Sequence, residues 1–320
     1  MKHLWALLVV LALPFAVACG DDAGENPTPT PASTAAAAIT APESAPVMPV
    51  AFTDKDNKTV NVKDVSRIIP LNGDIAEVVW ALGLGDKVVG VDTSATYPPE
   101  ASKLPSIGYQ RTLSAEGIIA LNPTVIIGSE TAGPPEVIEQ IKAVGIPVVL
   151  IKSTTSLEGV GTKIRSVAKA LGLPNRGETL AKATEKEIAD ALALAAKAKE
   201  QPKVAFLYLR GATVQHIMGS GSGADALITA AKGVDVGATS GIQGSKPITP
   251  ESLVAAQPDI FLVLTAGLQS VGGVDGLVNI PGVAQTPAGQ NKRVIDMDDQ
   301  YLLGMGPRAG KALMDLVKFL

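Results

Sequence analysis

LSAEGIIALNPTVIIG, Leu113–Gly128, and ITPESLVAAQPDIFLV, Ile248–Val263, align position for position. Each opens on a hydroxyl residue, Ser114 or Thr249, of the kind that caps a helix. Two positions on stands Glu116 or Glu251, where a carboxylate stabilises a helix N-terminus. An apolar helical face follows, then Pro123 or Pro258 ends the helix, and an apolar run reads as a strand. Two copies of one helix–proline–strand unit, one in each half of the chain, indicate a structural duplication.

The surrounding sequence repeats that texture. After a predicted hairpin, VAFTDKDNKTVNV, the first half reads strand RIIPL, helix NGDIAEVVWALGLG, strand KVVGV, the matched unit, helix PPEVIEQIKAVG and strand PVVLI. The second half reads strand KVAFLYL, helix GADALITAAKG, the second matched unit, strand RVIDM and a closing helix GPRAGKALMDLVKFL. Strands alternating with helices at this spacing predict α/β lobes with parallel, doubly wound sheets. Between them lies a stretch of helix formers, broken only around Gly172 to Gly177. Its Ala/Lys/Glu-rich second piece predicts a stiff helical linker. Expected boundaries are 50–153 for the first lobe, 154–201 for the linker and 202–320 for the second lobe. In such a bilobed fold the cleft lies at the carboxyl ends of the strands. A helical linker implies little hinge motion, so affinity should come from specific ligation and apolar stacking.

The chain begins with a basic residue, an apolar run and small residues ahead of Cys19, the pattern of a secretory signal over residues 1–19. Cys19 is the only cysteine, so it forms no intramolecular disulfide, and it resembles the lipid-acceptor cysteine of a bacterial lipoprotein. Acyl chains there would supply the two anchors that stable membrane attachment needs. Residues 20–49 are rich in Pro, Thr, Ala and Ser and predict a disordered tether.

Composition excludes several functions. There are 27 Lys and Arg against 31 Asp and Glu, and no basic run long enough to follow a phosphate backbone, so nucleic acid is not an expected partner. Past the signal, His216 is the only histidine, which argues against a zinc or manganese site and against Ser-His-Asp or Cys-His catalysis. His216 itself, in the predicted strand VQHIM, reads as structural. The Gly-rich GSGSGADAL lacks the Lys-Ser/Thr ending of a phosphate loop and reads as a strand–helix turn. No enzymatic function is expected.

The order RIIPLNGDIAEVVWALG, KVVGVDTSATYPPE, KLPSIGYQRTLSAEGIIALNPTVII, AGPPEVIEQI and LLGMGPR resembles the substrate-binding proteins of bacterial ABC importers. More narrowly, TSATYP and LGMGPR are similar to stretches of the haem-binding lipoproteins and periplasmic proteins of haem-uptake systems. The resemblance runs from about Arg67 to the C-terminus. It implies haem as the transported ligand, permease subunits as partners, and the same fold with a ferric siderophore or a corrinoid as the alternative. It further implies that Tyr97 is an axial ligand of ferric haem, placed at the cleft mouth. A phenolate is a hard anionic donor suited to Fe(III). Tyr208 is the second candidate, with Arg210 two residues away and therefore on the same strand face. In relatives such a Tyr-x-Arg pair serves as ligand and support. Arg111 and Arg308 are candidate partners for the haem propionates, and Tyr109, Tyr301 and Met305 for the porphyrin face. By the same resemblance Glu116 and Glu251 are surface carboxylates that dock onto the permease.

Overall fold

The computed structural model describes residues 43–320. The signal, Cys19 and most of the tether lie outside the described residues. The first half forms strands β1 (Val50–Thr53), β2 (Thr59–Val62) and β3 (Ile68–Pro70), helices α1 (Gly73–Ala81) and α2 (Ala115–Ile119), β4 (Val125–Ser129), α3 (Pro135–Ala143) and β5 (Val148–Ile151). Helices α4 (Leu157–Ala170) and α5 (Pro174–Ala195) lead into the second half. There follow β6 (Lys203–Arg210), β7 (Val214–Met218), α6 (Ala224–Ala230), β8 (Val234–Asp235), α7 (Val236–Thr239), β9 (Ser245–Pro247), α8 (Pro250–Ala256) and β10 (Ile260–Leu264). The chain closes with α9 (Thr265–Ser270), α10 (Gly273–Val278), α11 (Pro287–Gln290), β11 (Val294–Met297), α12 (Asp299–Leu303) and α13 (Ala309–Phe319).

The matched segments become α2–β4 and α8–β10. Both helices leave through a left-handed residue, Asn122 (φ 47°) and Gln257 (φ 48°), immediately before the proline. Both strands then enter the interior of a parallel ladder. β4 lies between β3 and β5, and β10 between β6 and β11. The hairpin β1–β2 forms as the sequence predicts. KVVGV is not a continuous strand. It touches β3 through one isolated bridge, Val88 to Ile68, while Val91 bridges to Ser106 in the loop that follows. The second sheet also differs from a wholly parallel one, because β7 pairs antiparallel with β6, and β9 antiparallel with β7 at the edge.

Alternate residues of each strand serve different cores, as the two-residue period of a strand requires. Ile69, Ile126, Val148 and Leu150 pack on one face of the first sheet, and Leu207, Phe261 and Val263 on the outer face of the second. The opposite faces share one apolar cluster. It joins Ile127 and Val149 of the first sheet to Ile164 and Val167 of α4, Ile188 of α5, Leu313 and Leu316 of α13, and Phe206 and Leu262 of the second sheet. Each such fully buried aliphatic side chain contributes about 1.5–3 kcal/mol relative to exposure. Prising the halves apart along this seam is therefore costly. α5 is 22 residues long, about 33 Å. It approaches its neighbours closely at two glycines: a Cβ on Gly177 would lie 2.2 Å from Ala168 Cβ, and one on Gly310 would lie 2.5 Å from Glu187 Cβ. α5 is thus embedded between α4 and α13 rather than standing alone.

The last part of the expected tether is bound. Val47 N donates to Gly172 O at 2.8 Å. The Glu43 carboxylate accepts from the N–H groups of Asn175 and Arg176 in the first turn of α5, at 2.8 and 2.9 Å. The Arg176 side chain donates to the carbonyls of Glu43, Ser44 and Leu82. Residues 43–49 therefore belong to the folded body, because they cap a helix that the linker sequence leaves uncapped.

Candidate functional site

The carboxyl ends of both sheets open onto one cleft of about 850 Å³, inside the range of roughly 300–1,000 Å³ for small-molecule sites. The wall from the first half is rich in hydroxyls, among them Thr93, Ser129, Thr131 and Thr154. The facing wall carries Tyr208, Arg210, Leu264 and Thr265. Asp74, Gln300 and Gly304 line it where the halves join.

Tyr208 reaches the cleft from the end of β6, as the sequence predicts. The guanidinium carbon of Arg210 lies 4.4 Å from the centroid of its ring, a cation–π geometry. Arg210 donates through Nη1 to Leu209 O at 2.8 Å and through Nη2 to the Asp299 carboxylate. The Tyr208 hydroxyl has no hydrogen-bond partner among the described residues, so it is available to a ligand. The antiparallel register sets His216 directly opposite Tyr208 on the same face of the sheet. His216 Nδ1 lies 3.2 Å from Ser245 Oγ, and His216 does not line the cleft.

In the first half the cleft tyrosine is Tyr109. Its side chain is exposed and lines the cleft together with Gln110 and Arg111. The loop is anchored from behind. Gln110 and Asn72 pair through their side-chain amides, Asn72 Oδ1 accepts from Ser129 N at 2.7 Å, and Gly133 N donates to Gln110 O at 2.9 Å. Arg111 lines the cleft and makes no ion pair among the described residues.

Tyr97 is exposed beside the cleft, next to Thr96, which lines it, and is not itself among the lining residues. Its N–H and that of Thr96 both donate to Gln300 Oε1, at 2.9 and 2.8 Å, which fixes the loop. The ring turns under Arg308, whose guanidinium carbon is 3.7 Å from the ring centroid. Arg308 is not free either. It donates from Nε and Nη2 to the two oxygens of Glu77, each at 2.9 Å. The expected porphyrin contacts Tyr301 and Met305 also fall away from the cleft. The Tyr301 hydroxyl donates to Asp315 at 2.8 Å, and burial together with Asp315 holds this phenol well above its usual range. Met305 is 1% exposed and belongs to the shared core.

The residues that fasten the two halves beside the cleft were not anticipated. Gln300 Nε2 donates to Gly73 O at 2.8 Å and to Glu77 at 3.1 Å. Lys163, buried on α4, donates to Asp74 and to Gly304 O, both at 2.7 Å. The one sequence signal was Glu77 itself, a carboxylate among Ile75, Val78 and Val79 on a helix that must be buried. A buried charge needs a partner, and nothing local could supply it.

Asp92 lies beneath the Thr93–Tyr97 loop. Burial pushes its carboxyl up to about 6, against hydrogen bonds from Ser94 Oγ and Ser94 N. Ser94 Oγ in turn accepts from Gly73 N at 2.9 Å, so this loop is tied to the first turn of α1. Glu116 and Glu251 occupy the first turns of α2 and α8, exposed and without ion pairs among the described residues. In GSGSG, the amides of Gly221 and Gly223 donate to Asp225, so the loop uses its donors internally.

Comparison with known proteins matches residues 68–301 to the periplasmic binding protein family. Among solved structures, the periplasmic heme-binding protein RhuT from Roseiflexus sp. RS-1 is 56% identical with a TM-score of 0.78, covering 80% of this chain and 98% of that one. The uncharacterized ABC transporter substrate-binding lipoprotein YvrC of Bacillus subtilis is 26% identical over 98% of this chain and 95% of its own length. A vitamin B12-binding protein of Vibrio parahaemolyticus is 30% identical over 47% of this chain and 53% of its own.

Proposed function

The chain belongs to the periplasmic binding protein family, and we propose that it captures ferric haem in the interlobe cleft outside the cytoplasmic membrane and delivers it to an ABC importer. The observation that carries this reading is a tyrosine from each half, Tyr109 and Tyr208, lining one cleft large enough for a cofactor-sized ligand. Tyr208 has a hydroxyl without a hydrogen-bond partner among the described residues and a guanidinium stacked on its ring, and a tyrosine oxygen is a hard donor suited to Fe(III). Tyr109 takes the place on the first wall that the sequence reading gave to Tyr97. Arg111 is positioned to meet a propionate. The likeness to a heme-binding protein over almost that protein's whole length supports the ligand class.

Glu116 and Glu251 are the docking residues for the permease, one on each half, and Cys19 is the lipid anchor. Substrate-binding proteins of this kind deliver a ligand and do not transform it.

Absorbance titration with ferric haem tests the reading, with Tyr109→Phe and Tyr208→Phe alongside. Saturable binding with a tyrosinate-type spectrum, lost on replacing the ligating tyrosine, is the expected result. Absence of saturable binding by the unsubstituted protein overturns it. A corrinoid is the second reading, favoured by the hydroxyl-rich wall and the vitamin B12-binding relative. Cobalamin added to the same titration separates the two.

A further inference from the structure

We propose that Asp299 is the positioning residue of the Tyr208 wall: it holds Arg210 flat on the tyrosine ring and registers that wall against the opposite half of the molecule. This rests on the reading of Tyr208 as a haem ligand. Arg210 could point its fork anywhere in an open cleft, since its side chain is about a third exposed. Two contacts fix it, the backbone carbonyl of Leu209 and the carboxylate of Asp299. The first, made by Nη1, comes from its own strand and fixes one arm of the fork, leaving the guanidinium free to pivot about that arm. Asp299 reaches across from α12 and sets the plane.

The platform under Asp299 is held on every side. Asp298 caps α12 by accepting from Tyr301 N at 3.0 Å. The Tyr301 hydroxyl ties the helix to Asp315 of α13. Leu302 is fully buried. Gln300, the next residue after Asp299, is the side chain that inserts into the first half, bonding Gly73 O, Glu77 and the amides of Thr96 and Tyr97. Two adjacent residues on one short helix thus grip the two walls. Asp299 holds the Arg210–Tyr208 pair, and Gln300 holds the loop and helix start of the other half. The position of the cation on the Tyr208 ring is set relative to the first wall, and not by β6 alone.

Groups that orient a metal's ligand typically contribute 10- to 100-fold to affinity. The mature chain is therefore titrated with ferric haem as wild type, Asp299→Ala, Asp299→Glu, Arg210→Ala and the double Arg210→Ala/Asp299→Ala variant, with a thermal melt of each to establish folding. Asp299→Ala is expected to weaken binding about tenfold or more and to change the tyrosinate-type absorbance, and Asp299→Glu to restore both in large part. The double variant is expected to be no weaker than Arg210→Ala, because Asp299 acts only through Arg210. Wild-type affinity and spectrum in Asp299→Ala, or losses that simply add in the double variant, overturn the proposal. Side-chain NMR of Arg210 without ligand gives an independent arm: restricted guanidinium rotation in wild type is expected to be released in Asp299→Ala. Unchanged rotation there counts against the proposal whatever the ligand. A wild-type protein that binds no haem, with Arg210 still freed by the substitution, would sink the haem reading and leave the positioning role standing.

Discussion

The guanidinium of Arg308 lies against the face of Tyr97, with 3.7 Å between its central carbon and the ring centroid. The arginine comes from the second half of the molecule and the tyrosine from the first, so this stack is an interlobe fastening. Removing the Tyr97 hydroxyl leaves the stack in place. Tyr97→Phe is expected to keep the haem affinity and spectrum of the wild type, while Tyr97→Ala costs about 0.5–1 kcal/mol of stability, the worth of an exposed cation–π contact. A haem titration and a urea unfolding curve measure both. Loss of the tyrosinate spectrum in Tyr97→Phe would return Tyr97 to the role of ligand.

Glu77 carries the heavier load. Its side chain is 4% exposed, and it accepts both nitrogens of the Arg308 fork. Replacing one member of a buried ion pair strands the other and typically costs about 3–5 kcal/mol. Arg308 retains some solvent, so Glu77→Gln is expected at the lower end, about 3 kcal/mol, by urea denaturation. A loss below about 1 kcal/mol would show that solvent compensates the arginine.

Asp92 gives the stability a pH dependence. Its carboxyl is raised to about 6 in the folded protein, against 3.8 ordinarily, so the folded state binds the proton more tightly than the unfolded chain. The stabilisation from that proton is complete below about pH 4, is lost as pH rises through about 6, and is absent at pH 7. Asp92→Asn removes the charge and keeps a carbonyl acceptor for Ser94. It is expected to be more stable than wild type at pH 7 by about 1–3 kcal/mol and to lose that advantage near pH 4. Thermal melts at the two pH values check it, and an advantage independent of pH would contradict the assignment.

The docking role proposed for Glu116 and Glu251 is tested by separating binding from delivery. Both are exposed first-turn carboxylates without ion pairs among the described residues, so Glu116→Ala and Glu251→Ala should shift stability by no more than about 0.5 kcal/mol. Haem affinity is expected to be unchanged, while transport by membranes carrying the permease falls, most in the double variant. Undiminished transport in the double variant would remove these residues from docking.

The matched segments around Glu116 and Glu251 were legible because their information is local. A hydroxyl residue at the N-cap position, an apolar helical stripe, a breaking proline and an apolar strand lie within one short stretch, and the same order occurs twice, although only Thr249 and not Ser114 caps through its side chain. The alternation within β4 and β10 follows from the two-residue period of a strand. Tyr208 and Arg210 were legible for the same reason, since residues two apart on a strand share a face. KVVGV was misread because an apolar run reports burial and not whether a continuous ladder forms.

The sequence by itself determined that there are two α/β halves, a helical connection between them, and a strand end that offers a tyrosine beside an arginine. Only the tertiary structure decided which tyrosine of the first half enters the cleft. Tyr97 and Tyr109 both lie in loops, and the local sequence around TSATYP points to Tyr97 without showing which ring faces the cleft. The decision comes from Gln300, Glu77 and Arg308, which draw the Tyr97 loop into the joint between the halves, and from Asn72, which holds the Tyr109 loop on the cleft side. Those partners are far apart in sequence, and a buried charge or amide selects its partner only when packing has brought the two together.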